Sequence, residues 1–87
     1  MADDNRMTLS VVVPVFNEAR TAEPSLRRLR KVPLHIQIIA VDDGSTDGTR
    51  DILQRLADEG IIDRLILQDQ NRGKGAAVRR GIDEATG

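Results

Sequence analysis

Two adjacent carboxylates, Asp42 and Asp43, stand directly after an apolar run at residues 36–41 and before a glycine-rich stretch. A short, β-branched apolar run of this kind is typical of a buried strand. In an open parallel sheet, ligands bind in the crevice beyond the carboxyl ends of the strands, and the pair lies at such an end. Because neighbouring strand residues point to opposite faces, we expect at most one of the two carboxylates to reach a given ligand.

The residues around this pair allow other interpretations. One carboxylate can accept backbone N–H groups and fix the turn, while Ser45, Thr46 or Asp47 caps the next helix. The spacing of Asp43, Ser45 and Asp47 also resembles a calcium loop, but the twelfth position of that loop holds Gln54 where a bidentate glutamate is needed. A receiver-type phosphoacceptor pocket is a third alternative. It would normally carry its acidic pair after the first strand, where this chain has an asparagine and a glutamate.

A second group of polar residues follows the first apolar run of the chain. Pro14 cannot donate to a sheet ladder, so we predict that regular strand pairing stops there. Phe16, the one aromatic residue of the sequence, lies at the strand end, where its ring can cover a planar ring such as a nucleobase. Ordinary core packing is the alternative for Phe16. Asn17 and Glu18 can bond a ligand at the same edge or cap the next helix.

A third group combines glycines with a lysine where a helix is predicted to begin. Gly73 and Gly75 flank Lys74, and the backbone N–H groups and dipole of a helix start favour an anion. The segment is not a Walker loop, which has Ser or Thr after the lysine. It is not the dinucleotide fingerprint either, because Val78 stands where the third glycine belongs. The alternative is a plain turn with Lys74 in solvent.

The elements that would position these groups alternate along the chain. Apolar stretches of strand length at residues 9–16, 36–41 and 61–67 are separated by helical patterns. The first helix can begin near Pro24, and Gly60 is placed to end the second. The order βαβαβα predicts an α/β fold, a parallel sheet flanked by helices with right-handed crossovers. The third helix is predicted to present a face of mostly small residues, formed by Ala77, Val78, Gly81, Ile82 and Ala85.

Composition excludes several classes of function. The 87 residues include 13 Lys and Arg against 14 Asp and Glu, a net charge of -1, with a single aromatic residue and no cysteine. This is not the basic, aromatic-bearing surface of a nucleic-acid binder. No apolar run is long enough to cross a bilayer, and a disulfide framework or thiolate metal site is excluded. We expect a cytoplasmic protein with a polar tail over residues 1–8 and one domain, or part of one, over residues 9–87.

Taken together, the order and spacing of the three groups resemble the start of a family 2 glycosyltransferase. The segments that carry this resemblance are Val-Val-Pro-Val-Phe-Asn-Glu at 12–18, Val-Asp-Asp-Gly-Ser-Thr-Asp-Gly-Thr at 41–49 and Asn-Arg-Gly-Lys-Gly-Ala-Ala at 71–77. The subgroup they resemble is the dolichyl-phosphate-mannose synthase-like enzymes. The resemblance implies the N-terminal part of a GT-A, Rossmann-like fold that holds a nucleoside-diphosphate sugar.

The resemblance also implies roles for individual residues. Asp43 would bond the base or ribose with Val41 packed beside it, and Asp42 would be its structural partner. Lys74 would counter the charge of the diphosphate. The subgroup often has Tyr in place of Phe16, which preserves ring stacking but loses the hydroxyl. The implied nucleotide-sugar-binding residues are Pro14, Phe16, Glu18, Val41, Asp43, Gly73 and Lys74, supported by Asn17, Asp42, Gly44 and Ser45.

The chain departs from the family pattern in one respect. The family holds a divalent cation, Mg²⁺ or Mn²⁺, on the donor diphosphate through an Asp-x-Asp motif, and this sequence has no Asp-x-Asp. The resemblance places that motif, the acceptor segments and any catalytic carboxylate downstream of Gly87. We therefore expect the 87-residue chain to bind a nucleotide at best weakly and not to turn over alone.

The implied reaction transfers a hexose from a UDP- or GDP-linked sugar to a polyprenyl phosphate, with the intact protein cytoplasmic or membrane-associated. A hypothesis from another class is a non-catalytic α/β interaction domain that forms homo-oligomers through an exposed sheet edge. The receiver-like phosphoacceptor is the third hypothesis. No nucleic-acid partner is expected.

Overall fold

The structure, a computed structural model, describes residues 8–85. The predicted polar tail lies outside the described residues except for Thr8. The elements are β1 (Leu9–Val15), α1 (Ala22–Arg30), β2 (Ile36–Asp43), α2 (Thr49–Asp58), β3 (Arg64–Gln68) and α3 (Lys74–Glu84). The βαβαβα order predicted from the sequence is confirmed.

The three strands form one parallel sheet in the order β1-β2-β3. Val15 at the end of β1 lies opposite Asp42, and Asp43 at the end of β2 lies opposite Gln68 of β3. All three strands therefore end at one edge of the sheet. The first loop (residues 16–21), the second loop (44–48) and the third loop (69–73), which follow β1, β2 and β3, begin at this edge.

The helices cover both faces of the sheet, which explains the continuous apolar character of β2. Ile38 and Ala40 pack with residues of α1 and α2 on one face. Ile39 and Val41 pack with Ala77 of α3 on the other. All four of these β2 side chains are fully buried. Burial on both faces is the arrangement expected of a central parallel strand.

Helix α3 packs very close to β1. A Cβ added at Gly81 would lie 2.3 Å from Cγ1 of Val12, so a side chain at this position would force Val12 to move. The predicted small-residue face is confirmed for Ala77 and Gly81, which are buried, but it is wrong for Ile82, which is 60% exposed. With 11 residues, α3 is the longest helix described, and no helix within residues 8–85 is long and apolar enough to cross a membrane.

Three predicted boundaries are wrong. The third strand begins at Arg64, because Ile61 and Ile62 belong to a turn in which both N–H groups donate to the Leu56 carbonyl. Ile62 is still buried, so its apolar character serves the core without a strand. The second strand continues beyond 41 through the two aspartates. Pairing of β1 continues one residue beyond Pro14, which is tolerated because β1 has a single neighbouring strand among the described residues.

Candidate functional site

A cleft of about 320 Å³ lies at the carboxyl edge of the sheet. Its walls come from the end of β1, the last residue of β2 and the loop that leads from β3 into α3. The lining residues are Pro14, Val15, Phe16, Glu18, Asp43, Asn71, Gly73 and Lys74. Six of the residues implied by the family resemblance therefore face one space, although they are spread over 61 positions of the sequence, from 14 to 74.

Asp43 is buried and fastens the third loop to the sheet. Its Oδ1 accepts hydrogen bonds from Gln68 Nε2 at 2.9 Å and from the Arg72 N–H at 2.8 Å. Its Oδ2 accepts the Gly73 N–H at 3.1 Å. An ionised carboxylate has about four acceptor positions, so Oδ2 keeps the capacity for a further donor. The side chain is thus held rigidly at the cleft wall with one oxygen available to a ligand.

Asp42 points to the opposite face of β2 and does not line the cleft. Its Oδ2 accepts the N–H groups of Gly44 and Ser45 at 3.2 and 3.0 Å. The Arg50 Nε lies 3.1 Å from the same oxygen as an ion pair. Oδ1 is buried and has no hydrogen-bond partner among residues 8–85. Asp42 therefore fixes the turn after β2, while Asp43 faces the cleft.

Gly44 allows the second and third loops to touch. Its φ is +81°, and a Cβ there would lie 2.7 Å from the Asn71 nitrogen and from the carbonyl carbon of Gln70. Contacts this short with backbone cannot be relieved by rotating a side chain. The glycine is therefore required by a close approach as well as by its backbone conformation.

Phe16 is 42% exposed, so core packing, the alternative interpretation of the lone aromatic residue, is wrong. It follows β1 directly and lines the cleft beside Glu18. An exposed aromatic side chain on a cleft wall offers a flat apolar surface to a ligand ring. A planar ligand can therefore pack against the chain at this wall.

The charged groups of the lining are two carboxylates and one ammonium. Glu18 and Asp43 supply the negative charges, and Lys74, the first residue of α3, supplies the positive one. The N–H groups of the first α3 turn lie beside Lys74, so this end of the cleft favours an anion. The cleft thus has a positively charged end at α3 and an apolar wall at Phe16.

The supporting residues hold the first and second loops together. The Asn17 N–H donates to Ser45 Oγ at 2.8 Å, and the Thr46 N–H donates back to Asn17 Oδ1 at 2.8 Å. Asn17 has a φ of +50°, a left-handed conformation that asparagine tolerates better than most residues. Neither Asn17 nor Ser45 lines the cleft.

Of the polar residues of the second loop, fewer cap helix α2 than the sequence indicated. Gly48 is the N-cap of α2 and makes no side-chain cap. Of the three capping candidates, Asp47 is the one that bonds the helix start, where its Oδ1 accepts the Thr49 N–H at 3.1 Å. The hydrogen bond from the Thr49 hydroxyl, with help from backbone N–H groups, lowers the pKa of Asp47 below its usual range.

Two lining residues were not predicted, and one predicted residue lies elsewhere. Asn71 lines the cleft, and its Oδ1 accepts the Gly73 N–H. Its place in the third motif was a signal for it. Val15 also lines the cleft, as the neighbour of two predicted residues. Val41 is fully buried on the α3 side of β2 and does not face the cleft.

The described residues do not contain a metal site. Within residues 8–85 no group of three or more His, Cys, Asp or Glu side chains is arranged to hold a cation. Glu18 and Asp43 are the acidic residues of the cleft lining, and both Asp43 oxygens already accept hydrogen bonds from the chain itself. These residues do not fit the ligand set of a divalent cation.

The comparisons with known proteins agree on one family. The model of glycosyl transferase family 2 matches residues 10–87. Dodecaprenyl-phosphate galacturonate synthase from Rhizobium johnstonii is 37% identical over 86 residues, which is 93% of this chain and 25% of that protein. Dolichol-phosphate mannosyltransferase from Mycosarcoma maydis is 36% identical over 86 residues, 90% of this chain and 29% of that protein.

The fold is shared with solved glycosyltransferases. The mannosyltransferase PcManGT from Pyrobaculum calidifontis, solved in complex with GDP-Man and Mn²⁺, superposes with a TM-score of 0.78 and 30% sequence identity. The match covers 90% of this chain and 24% of that one. The expected GT-A architecture is thereby confirmed. The chain spans about a quarter of the length of the relatives it matches.

Proposed function

Since this chain belongs to glycosyl transferase family 2, we propose that it forms the nucleotide-binding part of a hexosyltransferase. The donor is a nucleoside-diphosphate sugar linked to UDP or GDP, and the acceptor is a polyprenyl phosphate. In such a reaction the bond between the sugar and the donor diphosphate breaks, and a bond from the sugar to an acceptor phosphate oxygen forms. The acceptor phosphate is already an anionic nucleophile, so a strong general base is less necessary.

The observation that carries this proposal is the convergence of the three motifs on one cleft. Phe16 offers a flat surface for the base, and Asp43 Oδ2 can accept an N–H or O–H of the base or ribose. Lys74 and the start of α3 oppose the charge of the diphosphate. The lining thus offers one group for each part of a nucleoside diphosphate.

The names of the relatives agree on the class of acceptor but not on the donor sugar. One named relative is a dodecaprenyl-phosphate enzyme and another acts with dolichol phosphate, while their sugars differ, galacturonate in one and mannose in the other. The proposal therefore specifies a polyprenyl phosphate and leaves the hexose general. Because the described residues do not fit a cation, no step is assigned to Mg²⁺ or Mn²⁺.

The test is a titration of the full chain with UDP, GDP and their sugars by ligand-observed NMR or calorimetry. Binding is expected to be weak, in the millimolar range, and Asp43→Ala and Asp43→Asn should abolish or strongly weaken it. Asp83→Ala, which changes an exposed carboxylate near the far end of α3, is the matched control and should bind like the wild type. Thermal melts verify that each variant is folded. Absence of binding to every nucleotide at millimolar concentration would contradict the proposal.

The other hypotheses, on a phosphoacceptor function, the cellular location and oligomerisation, have less support from the observations. The receiver-like phosphoacceptor has no support from the comparisons, which find glycosyltransferases. The cytoplasmic location of the intact protein, with membrane association, stays a prediction that cell fractionation can test. The homo-oligomer also stays a prediction.

A further inference from the structure

Three successive backbone N–H groups after β1 donate to side chains of the second loop and of the first residue of α2. The Asn17 N–H donates to Ser45 Oγ at 2.8 Å, and the Glu18 N–H donates to Thr49 Oγ1 at 3.0 Å. The Ala19 N–H donates to Asp47 Oδ2 at 3.2 Å. The acceptors are 28 to 31 positions away in the sequence. Together they satisfy a turn that has no ladder or helix partner for these donors.

Thr49 is the central member of this group. It is fully buried, accepts the Glu18 N–H and donates its own hydroxyl hydrogen to Asp47 Oδ1. That hydrogen bond and the Ala19 N–H hold the Asp47 carboxylate in place. The Thr49 hydroxyl therefore orders two of the three acceptors, and an isosteric valine would remove both of its hydrogen bonds.

The same turn places the cleft residues at the end of β1. Phe16 immediately precedes the three N–H groups, and Glu18 contributes one of them while its side chain lines the cleft. The Glu18 carbonyl also accepts the N–H of Ala22, the first residue of α1, at 2.8 Å. A change in the second loop is thus transmitted to the cleft wall through the backbone of this turn.

We propose that Ser45, Asp47 and Thr49 are positioning residues that hold the 16–19 turn in its cleft-lining conformation and so determine nucleotide affinity. The affinity part rests on the proposed function, whereas the conformational part does not. None of the three side chains lines the cleft, so they act through the backbone rather than on the ligand. This gives the polar residues that follow the aspartate pair a role that helix capping does not supply.

The experiment compares Thr49→Val and Ser45→Ala with the wild type in the full chain. Amide hydrogen exchange at residues 17–19 is read by NMR, and UDP and GDP affinities are read by titration. Both variants should speed exchange at the amide that loses its acceptor. Ser45→Ala should weaken nucleotide binding about three- to tenfold, as expected for one lost hydrogen bond, and Thr49→Val, which removes two, at least as much. Thr49→Ser keeps the hydroxyl and should restore both readouts. Thr46→Ala is the matched control, because its exposed hydroxyl has no hydrogen-bond partner among residues 8–85.

The outcomes separate the two proposals. Folded Thr49→Val and Ser45→Ala chains with unchanged exchange at residues 17–19 overturn the positioning role, whether or not nucleotide binds. Faster exchange with unchanged affinity overturns its link to binding. A wild type that binds no nucleotide contradicts the proposed function, and the exchange measurement then decides the conformational part alone. If Thr49→Val does not fold, Ser45→Ala carries the comparison.

Discussion

At the scale of the residue, the contact between the second and third loops depends on Gly44. Because Gly44 has no side chain, the backbone of Gln70 and Asn71 can lie against it. The neighbouring Asp43 accepts the N–H groups of the next two residues of the third loop, Arg72 and Gly73. The cleft wall formed by the third loop is therefore coupled to this position. A methyl group there would push the third loop away from Asp43.

We predict that Gly44→Ala destabilises the chain and weakens nucleotide binding. The left-handed backbone costs about 1–2 kcal/mol for an alanine, and the clash with backbone adds a further 1–3 kcal/mol or so. Gly60→Ala is the control, because Gly60 has a similar φ of +87° but open space around its Cβ position. Urea denaturation should show a larger loss for Gly44→Ala. Equal losses for the two variants would mean that the third loop moves aside freely.

At the scale of the element, α1 and α2 are joined by a ring of four charged side chains. Glu23 pairs with Arg27 at 2.8 Å within α1 and with Arg55 of α2 at 2.6 Å. Glu59 completes the ring by pairing with Arg27 at 2.7 Å and with Arg55 at 3.2 Å. The hydrogen bond from Arg55, followed by that from Arg27, lowers the pKa of Glu23 from 4.5 to about 2.

This ring predicts an acid-sensitive contribution to stability. Because the pKa of Glu23 is lower in the folded state, the contribution is present above pH 4.5 and is lost as the pH falls towards 2. Glu23→Gln should lower the melting temperature modestly at neutral pH and flatten its decline below pH 4.5. Circular dichroism melts across this pH range measure both effects.

The control for this prediction is Asp83→Asn, an exposed carboxylate outside the ring. It should melt like the wild type at every pH. High salt should reduce the difference between Glu23→Gln and the wild type, because exposed pairs are screened. A wild type and a Glu23→Gln chain with the same pH profile would show that the ring contributes nothing to stability.

At the scale of the whole molecule, the sheet of the described residues has two edge strands, β1 and β3. β1 and β3 each pair with β2 alone, and each carries an exposed leucine, Leu9 at 56% and Leu67 at 42%. Unpaired edge strands with apolar side chains favour strand-to-strand association. We therefore predict concentration-dependent self-association of the 87-residue chain.

Sedimentation velocity over a concentration series measures this association. If association uses the edge strand β1, Leu9→Lys should restore the monomer. If it uses the edge strand β3, Leu67→Lys should do so. Leu34→Lys changes an exposed leucine outside the strands and should leave the association unchanged. A monodisperse monomer at the highest concentration would remove the oligomer hypothesis.

Local patterns in the sequence were sufficient for the order of elements and for the types of group at the cleft. Strand and helix periods are properties of neighbouring residues, so the order βαβαβα could be predicted without knowing the fold, whereas the exact strand ends could not. The same patterns failed at two isoleucines. Ile62 is buried but lies in a turn and not in a strand, and Ile82 was predicted on the packed face of the third helix but is exposed.

By itself, the sequence determined the family, the parallel α/β order and the residues, such as Phe16 and Lys74, that end strands or begin helices at one edge of the sheet. The tertiary structure alone decided which groups Asp42 and Asp43 bond, and that Thr49 holds the backbone of Glu18. The contacts of Asp43, and that of Thr49 with Glu18, join residues 25 or more positions apart. Hydrogen bonds between distant loops depend on how the crossovers bring the loops together, which no local period encodes.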